Sequence, residues 1–397
     1  SCDKIRFRQG YPEKIGGWTP INITSYVGDA SSIIQYGTTD SNEIISIATD
    51  EKNYVLIGTE LTDITPLRIT YITSTTPSTD NCFKTTDEST TVTVTLTGHG
   101  GSDGDYVTFS GSAAVGGVSA LNLNTEFKIS NVANNTFDIT VAAAATSTVA
   151  AGGGTSIVAA FQYPVGSSTI TFGYGWSAGT WDRGTWGSSA STPVVIPARL
   201  TFQDKFNNDV IYNIQDSDIF YWEYDSGLSN RAVKLNTLVN SRAVPEQVGK
   251  VMFAASGHLL ALSCTSYGRS TTAGQSISSI TRSGTTATVT TGSGHNLSVY
   301  DWVDFTGQAP SAYQGEFQVV TVPSSTTFTY TLPYDPGASA SPAGTYVEVT
   351  YSGTLDPMLI RFANVDATIG PEPEEWKPEL TNSAGFIRVK QGSQIIT

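Results

Sequence analysis

Charge is what this 397-residue chain has least of. Asp, Glu, Lys and Arg together make up 14% of it, well under the about 25% of an ordinary globular protein. The few cations, 21 against 35 acidic residues, leave a formal net charge of −14. That shortage excludes a general basic surface for nucleic acid, because phosphate contacts need clustered Lys and Arg. Histidine is scarce too, with only His99, His258 and His295. The cysteines Cys2, Cys82 and Cys264 are odd in number and far apart, which gives neither a disulfide framework nor a zinc pattern. The sequence contains no run of about 18 apolar residues and no basic-then-apolar leader, so neither a membrane-spanning helix nor a signal peptide is expected in it. Residues 231–241 (RAVKLNTLVNS) alone have some helical spacing, over too short and too β-branched a stretch to matter. There is no G-x-S-x-G elbow and no dinucleotide fingerprint, and Gly152-Gly153-Gly154 lacks the Lys-Ser/Thr of a phosphate loop. We therefore expect no enzymatic activity, no cofactor and no bound metal.

What the chain does have is Thr, Ser, Gly, Val and aromatic residues, the last at 10%. This is ample material to bury and the usual composition of β-rich assemblies. Brief β-type runs follow one another at turn-bounded spacing: SSIIQYG (31–37), EIISIAT (43–49) and NYVLIGT (53–59), then PARLTFQDKF (197–206), NDVIYNIQDSDIFYWEYDSG (208–227) and GKVMFAASGHLLALSC (249–264). Spacing of about 8–12 residues predicts antiparallel all-β structure rather than βαβ units. The recurring order of apolar strand, Asp/Ser/Gly turn, apolar strand and aromatic strand end is that of a propeller blade.

A repeat interrupts this pattern twice. The first copy reads TTVTVTLTGHGGSDGDYVTFSG (90–111) and NTEFKISNVANNTFDIT (124–140); the second reads TTATVTTGSGHNLSVYDWVDFTG (285–307) and QGEFQVVTVPSSTTFTYT (314–331). His99, Asp105, Phe109 and Gly111 pair with His295, Asp301, Phe305 and Gly307 at one constant offset. The offset then shortens, with Glu126 matching Glu316 and Phe137 matching Phe328. The expected fold is mainly β: a β-propeller-like body interrupted by two small inserted β-barrel or sandwich modules. The body occupies 1–88, 155–274 and 351–397, and the modules occupy 89–154 and 275–350. The chain opens on Ser1-Cys2-Asp3 and ends on Gln394-Ile395-Ile396-Thr397 without a closing turn, so a processed protein or a body that continues past 397 is expected.

Few residues offer chemistry. His99 and His295 each follow Gly, either as ligands of a site in each module or as turn residues bonding local backbone. No second His or Cys stands at metal-ligand spacing, which favours the turn. Asp103-Gly104-Asp105 and Asp216-Ser217-Asp218 lack the calcium-loop pattern, and Asp in hairpin turns caps backbone without a metal. Asp182, Asp209, Glu223 and Asp225 could supply paired carboxylates only if a cleft brought them together. Trp176, Trp181 and Trp186 are evenly spaced in a Gly/Ser loop. They are candidate interface aromatics, with a sugar-stacking platform as the other reading.

The opening Arg6-Phe7-Arg8-x-Gly10-x-Pro12-Glu13-Lys14-x-Gly16-Gly17-Trp18 resembles the start of tail nozzle, or packaged-DNA-stabilisation, proteins of short-tailed bacteriophages. So do Thr180-Trp181-x-x-Gly184-Thr185-Trp186-Gly187, Phe220-Tyr221-Trp222 with Arg231-Ala232-Val233, and Leu359-Ile360-Arg361-Phe362 leading to Trp376 and Ala384-Gly385. The inserts look like the FCCH module of ubiquitin-activating enzymes, a fold-level likeness that implies no ubiquitin chemistry. The resemblance implies a β-propeller body in the virion tail and a homo-oligomeric ring, usually of six copies. It implies other tail and adaptor proteins as partners, genomic DNA passing through the lumen without sequence-specific contacts, and no catalytic role. That family is longer, and its propeller closes further downstream. The rival expectation is an adhesin-like tail protein that recognises host surface polysaccharide.

Overall fold

In the computed structural model, described over residues 5–8, 11–14, 25–72, 79–165, 200–253, 257–366 and 370–390, antiparallel β-structure accounts for nearly every element. The mainly-β class is therefore what the chain adopts. Three four-stranded meanders form the body. The first runs Ala30–Gly37, Glu43–Thr49, Asn53–Ile57 and Glu60–Asp63; the second Thr201–Phe206, Asp209–Ile214, Ile219–Trp222 and Val233–Lys234; the third Val248–Phe253, Leu259–Thr265, Leu355–Phe362 and Gly385–Arg388.

The second meander is sandwiched between the other two, which explains its two-sided apolar sequence. Val210, Tyr212, Ile214, Phe220 and Trp222 pack with Tyr36, Ile44 and Val55 of the first meander. From the opposite face, Ile211 and Ile219 pack with Val248, Val251, Leu259 and Ala261 of the third. Period-2 alternation sends successive residues of Asp209–Ile214 to opposite neighbours. Polar side chains set the stacking register. Gln203 bonds Ser46 Oγ (2.7 Å) and Ser32 Oγ (3.1 Å) of the first meander. Fully buried Asn213 accepts from Val251 N and donates to Val248 O, both at 2.7 Å.

The third meander's other face is different. Paired positions along its strands bring Met252, Leu260, Leu262, Met358, Ile360, Phe362 and Ile387 to one side. The first six are half-buried and Ile387 is 60% exposed. None of them joins a core cluster among the described residues.

The repeats form two further bodies. The first is a pair of four-stranded sheets: Glu126–Lys128, Tyr106–Ser110, Val158–Gln162 and Leu67–Tyr71 against Thr136–Thr140, Thr91–Thr95, Phe83–Thr85 and Val149–Gly152. Leu67–Tyr71, Phe83–Thr85 and Val158–Gln162 lie outside residues 89–154. Phe83, Phe109, Phe137 and Phe161 fill its core. The second is a closed barrel of Thr345–Thr350, Gln275–Ser283, Thr286–Thr291, Thr327–Thr331, Gly315–Ser324 and Trp302–Thr306, the last strand pairing back with the first. It interrupts the third meander between Leu259–Thr265 and Leu355–Phe362. Equivalent pairs keep equivalent registers: Val94 faces Phe137 as Val289 faces Phe328, and Val107 faces Phe127 as Val303 faces Phe317.

Two local features differ from the sequence reading. A four-residue helix, Ala120–Leu123, starts on Ser119, whose hydroxyl accepts from Asn122 N at 3.3 Å. The helically spaced stretch 231–241 is instead the strand Val233–Lys234 and the 3-10 turn Leu235–Thr237. No helix among the described residues is long and apolar enough to cross a membrane.

Candidate functional site at the junctions of the modules with the body

The landmarks shared by the two repeats converge where each module meets the meanders. In the first module, Glu126 pairs with Lys52 of the first meander, and Gln162 Nε2 donates to the same carboxylate. Lys52, with a side chain 4% exposed, also reaches Asp63 at 2.9 Å, and Asp63 reaches Arg231 at 3.2 Å. A line of alternating charge thus runs from the chain before Val233–Lys234, through the first meander, into the module. Burial disfavours the Lys52 ammonium, but the Asp63 and Glu126 carboxylates outweigh it and raise its pKa. Burial likewise opposes ionisation of Asp63, while Arg231 and Lys52 hold its carboxyl below the ordinary range. Tyr106 lies alongside, its ring 4.8 Å from the Lys52 ammonium and its hydroxyl donating to Glu51.

In the second module Glu316 takes the place of Glu126 and Trp302 that of Tyr106. Glu316 accepts from Arg269 Nε (2.8 Å), Lys377 Nζ (2.6 Å) and the Tyr351 hydroxyl (2.5 Å), with Arg242 Nη1 at 3.6 Å. Burial opposes its ionisation, but hydrogen bonds from Lys377, Tyr351 and Arg269 prevail and hold its pKa down to about 2. Trp302 Nε1 donates to Ser241 O at 2.7 Å, and the Arg242 guanidinium sits 5.6 Å from its ring. Arg269, Arg242 and Lys377 each have a second carboxylate, in Asp304, Glu375 and Glu379.

The turns leading into these anchors share their backbone bonds and one histidine contact, and differ at the other ring nitrogen, where His99 Nε2 bonds Ala133 O at 2.9 Å and His295 Nε2 has no partner among the described residues. His99 Nδ1 accepts from Gly101 N at 3.1 Å, and His295 Nδ1 from Leu297 N at 3.3 Å. The rings meet Phe137 and Phe328 edge-on at 4.9 and 5.2 Å. Asp105 and Asp301 carboxylates accept from Ser102 N and Ser298 N. Both histidines are therefore turn residues packed on the module core. Gly104 N bonds Ile129 O and Tyr300 N bonds Val319 O, both at 2.9 Å. This shared position is left-handed, with φ of 94° at Gly104 and 77° at Tyr300. Glycine adopts that conformation freely, whereas a tyrosine is strained in it.

Beside the second anchor lies a cavity of about 240 Å³ between the body and the barrel, lined by Tyr300, Trp302, Tyr351, Asn236, Glu246 and Glu348 among others. Asn236 Oδ1 is inaccessible and has no hydrogen-bond partner.

The other candidates do not gather into one place. Trp176, Trp181, Trp186 and Asp182 lie outside the described residues, as does Cys2. Cys82 and Cys264 are buried free thiols. Asp209 accepts from the Tyr221 hydroxyl (2.5 Å) and Tyr224 N (2.8 Å), and burial raises its pKa. Both of its oxygens are thereby committed to holding the second meander's aromatic edge. Glu223 engages Ser226. Asp218 pairs with Lys234 at 3.0 Å, and Asp103 accepts from Val132 N at 2.9 Å. Arg361, 2% exposed, donates to the carbonyls of Thr265, Ala243 and Trp376, and burial lowers its pKa to about 10. Sequence reasoning did not assign a role to Glu126, Glu316, Tyr106 or Trp302. Their recurrence as Glu-Phe and Asp-aromatic-Val in both repeats was the available signal.

No known family profile matches the chain, and no curated protein matches it. Among solved structures it is similar to an endosialidase of phage phi92, at 12% identity and a TM-score of 0.19, over 90% of this chain. The chain spans 63% of that structure's length. The similarity is to a phage protein and does not separate a tail nozzle from an adhesin. It corrects one expectation, that the chain is not an enzyme: the protein resembled is named as an enzyme, although a likeness this weak establishes no activity for this chain.

Proposed function

We propose that this chain is a structural component of a phage tail, of the nozzle or hub kind, in which copies form a ring-shaped conduit that retains and passes genomic DNA. The single observation that carries the proposal is the stack of three meanders ending in an apolar sheet face that belongs to no core cluster among the described residues. Blades stacked side by side with apolar faces are how a propeller disposes of its edges, and a face left open takes a further sheet. In this reading the face meets a neighbouring copy, and head-to-tail contacts of that kind close into a ring when the rotation permits. The net charge of −14 suits a passage in which DNA slides, since few cations are present to release its counterions. The two anchored modules lie to the outside, where they bridge to other tail and adaptor proteins. Light scattering and electron microscopy of the purified chain test this. Rings of about six copies with an axial hole are expected, and a monomer at all concentrations would refute it.

A further inference from the structure

The geometry points to a saccharide-binding site in the cavity between the barrel and the body, with Tyr300 as the residue that makes it. We propose that this site takes a neutral or amino-bearing sugar unit. The inference is independent of the ring and begins with the repeat. The turn at Gly104 and the turn at Tyr300 share their backbone bonds, and both need a left-handed residue. The first module meets that need with glycine. The second holds a bulky aromatic there, 43% exposed and lining the cavity. Strain kept at one of two equivalent positions is a mark of use, because the turn itself would form more easily without it.

The rest of the lining is unspent. Glu246 and Glu348 line the cavity and make no side-chain hydrogen bond or ion pair among the described residues. Two unpaired carboxylates on one space call for a ligand rich in O–H or N–H donors, and Tyr300 offers a ring face to stack on it. At about 240 Å³ the cavity is smaller than the about 300–1,000 Å³ of drug-sized pockets, which suits one sugar ring with its substituents. The two carboxylates exclude a sialate, phosphate or other anion. Trp302 and Tyr351 are committed to Ser241 and Glu316 and form the rigid wall.

The test uses saturation-transfer NMR and calorimetry on the full chain with three probes: cellobiose, the β-1,4-linked disaccharide of glucosamine, and 3′-sialyllactose. The first two should bind and the third should not. Tyr300→Gly, which gives the turn the residue its twin already has, should weaken binding at least tenfold without lowering the thermal midpoint. Glu348→Gln should weaken the glucosamine disaccharide more than cellobiose. Absence of binding by both uncharged and amino probes would overturn the proposal, as would undiminished binding by Tyr300→Gly. Binding of trilysine in place of any saccharide would overturn it too, by showing a cation site.

Discussion

The two modules are built on one sequence pattern and fastened to the body in opposite ways. At the first junction the central charge is a cation of the body, Lys52, held between Asp63 and the module's Glu126. At the second it is an anion of the module, Glu316, held among Arg269, Lys377 and Arg242. The glutamate is common to both; what surrounds it differs. The first anchor is lean, with a nearly inaccessible ammonium at its centre. The second is redundant, since each of its cations keeps another carboxylate. A repeated motif can therefore specify where a module docks while the scaffold decides how firmly.

That contrast can be broken first at its lean end. Lys52→Met keeps the apolar stem and removes the charge, leaving the half-buried Glu126 and Asp63 without the cation they share. A loss of about 3 kcal/mol is expected, as for other broken buried pairs, read as a shift of the denaturant midpoint. Glu316→Gln should cost less, about 2 kcal/mol, because its cations are partly solvated and keep other partners. A larger loss at Glu316 than at Lys52 would reverse the contrast.

Acid sharpens the same comparison. The Glu316 pKa is depressed in the folded state, from 4.5 to about 2. Its contribution is present above 4.5 and is lost as pH falls through that interval toward 2. Urea midpoints measured from pH 5 downward should fall less steeply in Glu316→Gln than in the wild type. Equal slopes would show that the Glu316 cluster does not hold the junction.

The smallest effect concerns the turns. Gly104→Tyr moves the strained residue into the first module, where the nearest side-chain atom to a new Cβ is Lys128 Cε at 3.7 Å. A Cβ there meets only ordinary van der Waals contact, so the backbone conformation is the expected penalty, about 1 kcal/mol. A loss several times larger would mean that the turns are not equivalent.

Much of this was legible in the sequence, for definite reasons. EIISIAT and NYVLI alternate and are bounded by turn residues, and they are strands at Glu43–Thr49 and Asn53–Ile57. The repeat was visible because Gly-His and Asp-aromatic-Val are short and local, and both histidines fulfil the turn role. The anchors were not legible, because Lys52 lies 74 residues from Glu126 and Lys377 lies 61 from Glu316. No local pattern joins them. The third meander's outer apolar face was hidden for a similar reason: Leu260, Ile360 and Ile387 become neighbours only through strand pairing across an inserted barrel. The helix at Ala120–Leu123 had only the Ser119 cap to announce it. The sequence-stretch carrying Trp176, Trp181 and Trp186 lies outside the described residues, so the interface role expected for them stands as a proposal.

One measurement bears most directly on the ring. Electron microscopy of the wild type should be run beside a Leu262→Lys, Ile360→Lys variant, which places two charges on the third meander's outer apolar face and leaves both anchors intact. Rings from the wild type and single-copy particles from the variant are expected. Rings from both, or none from the wild type, would contradict assembly through that face.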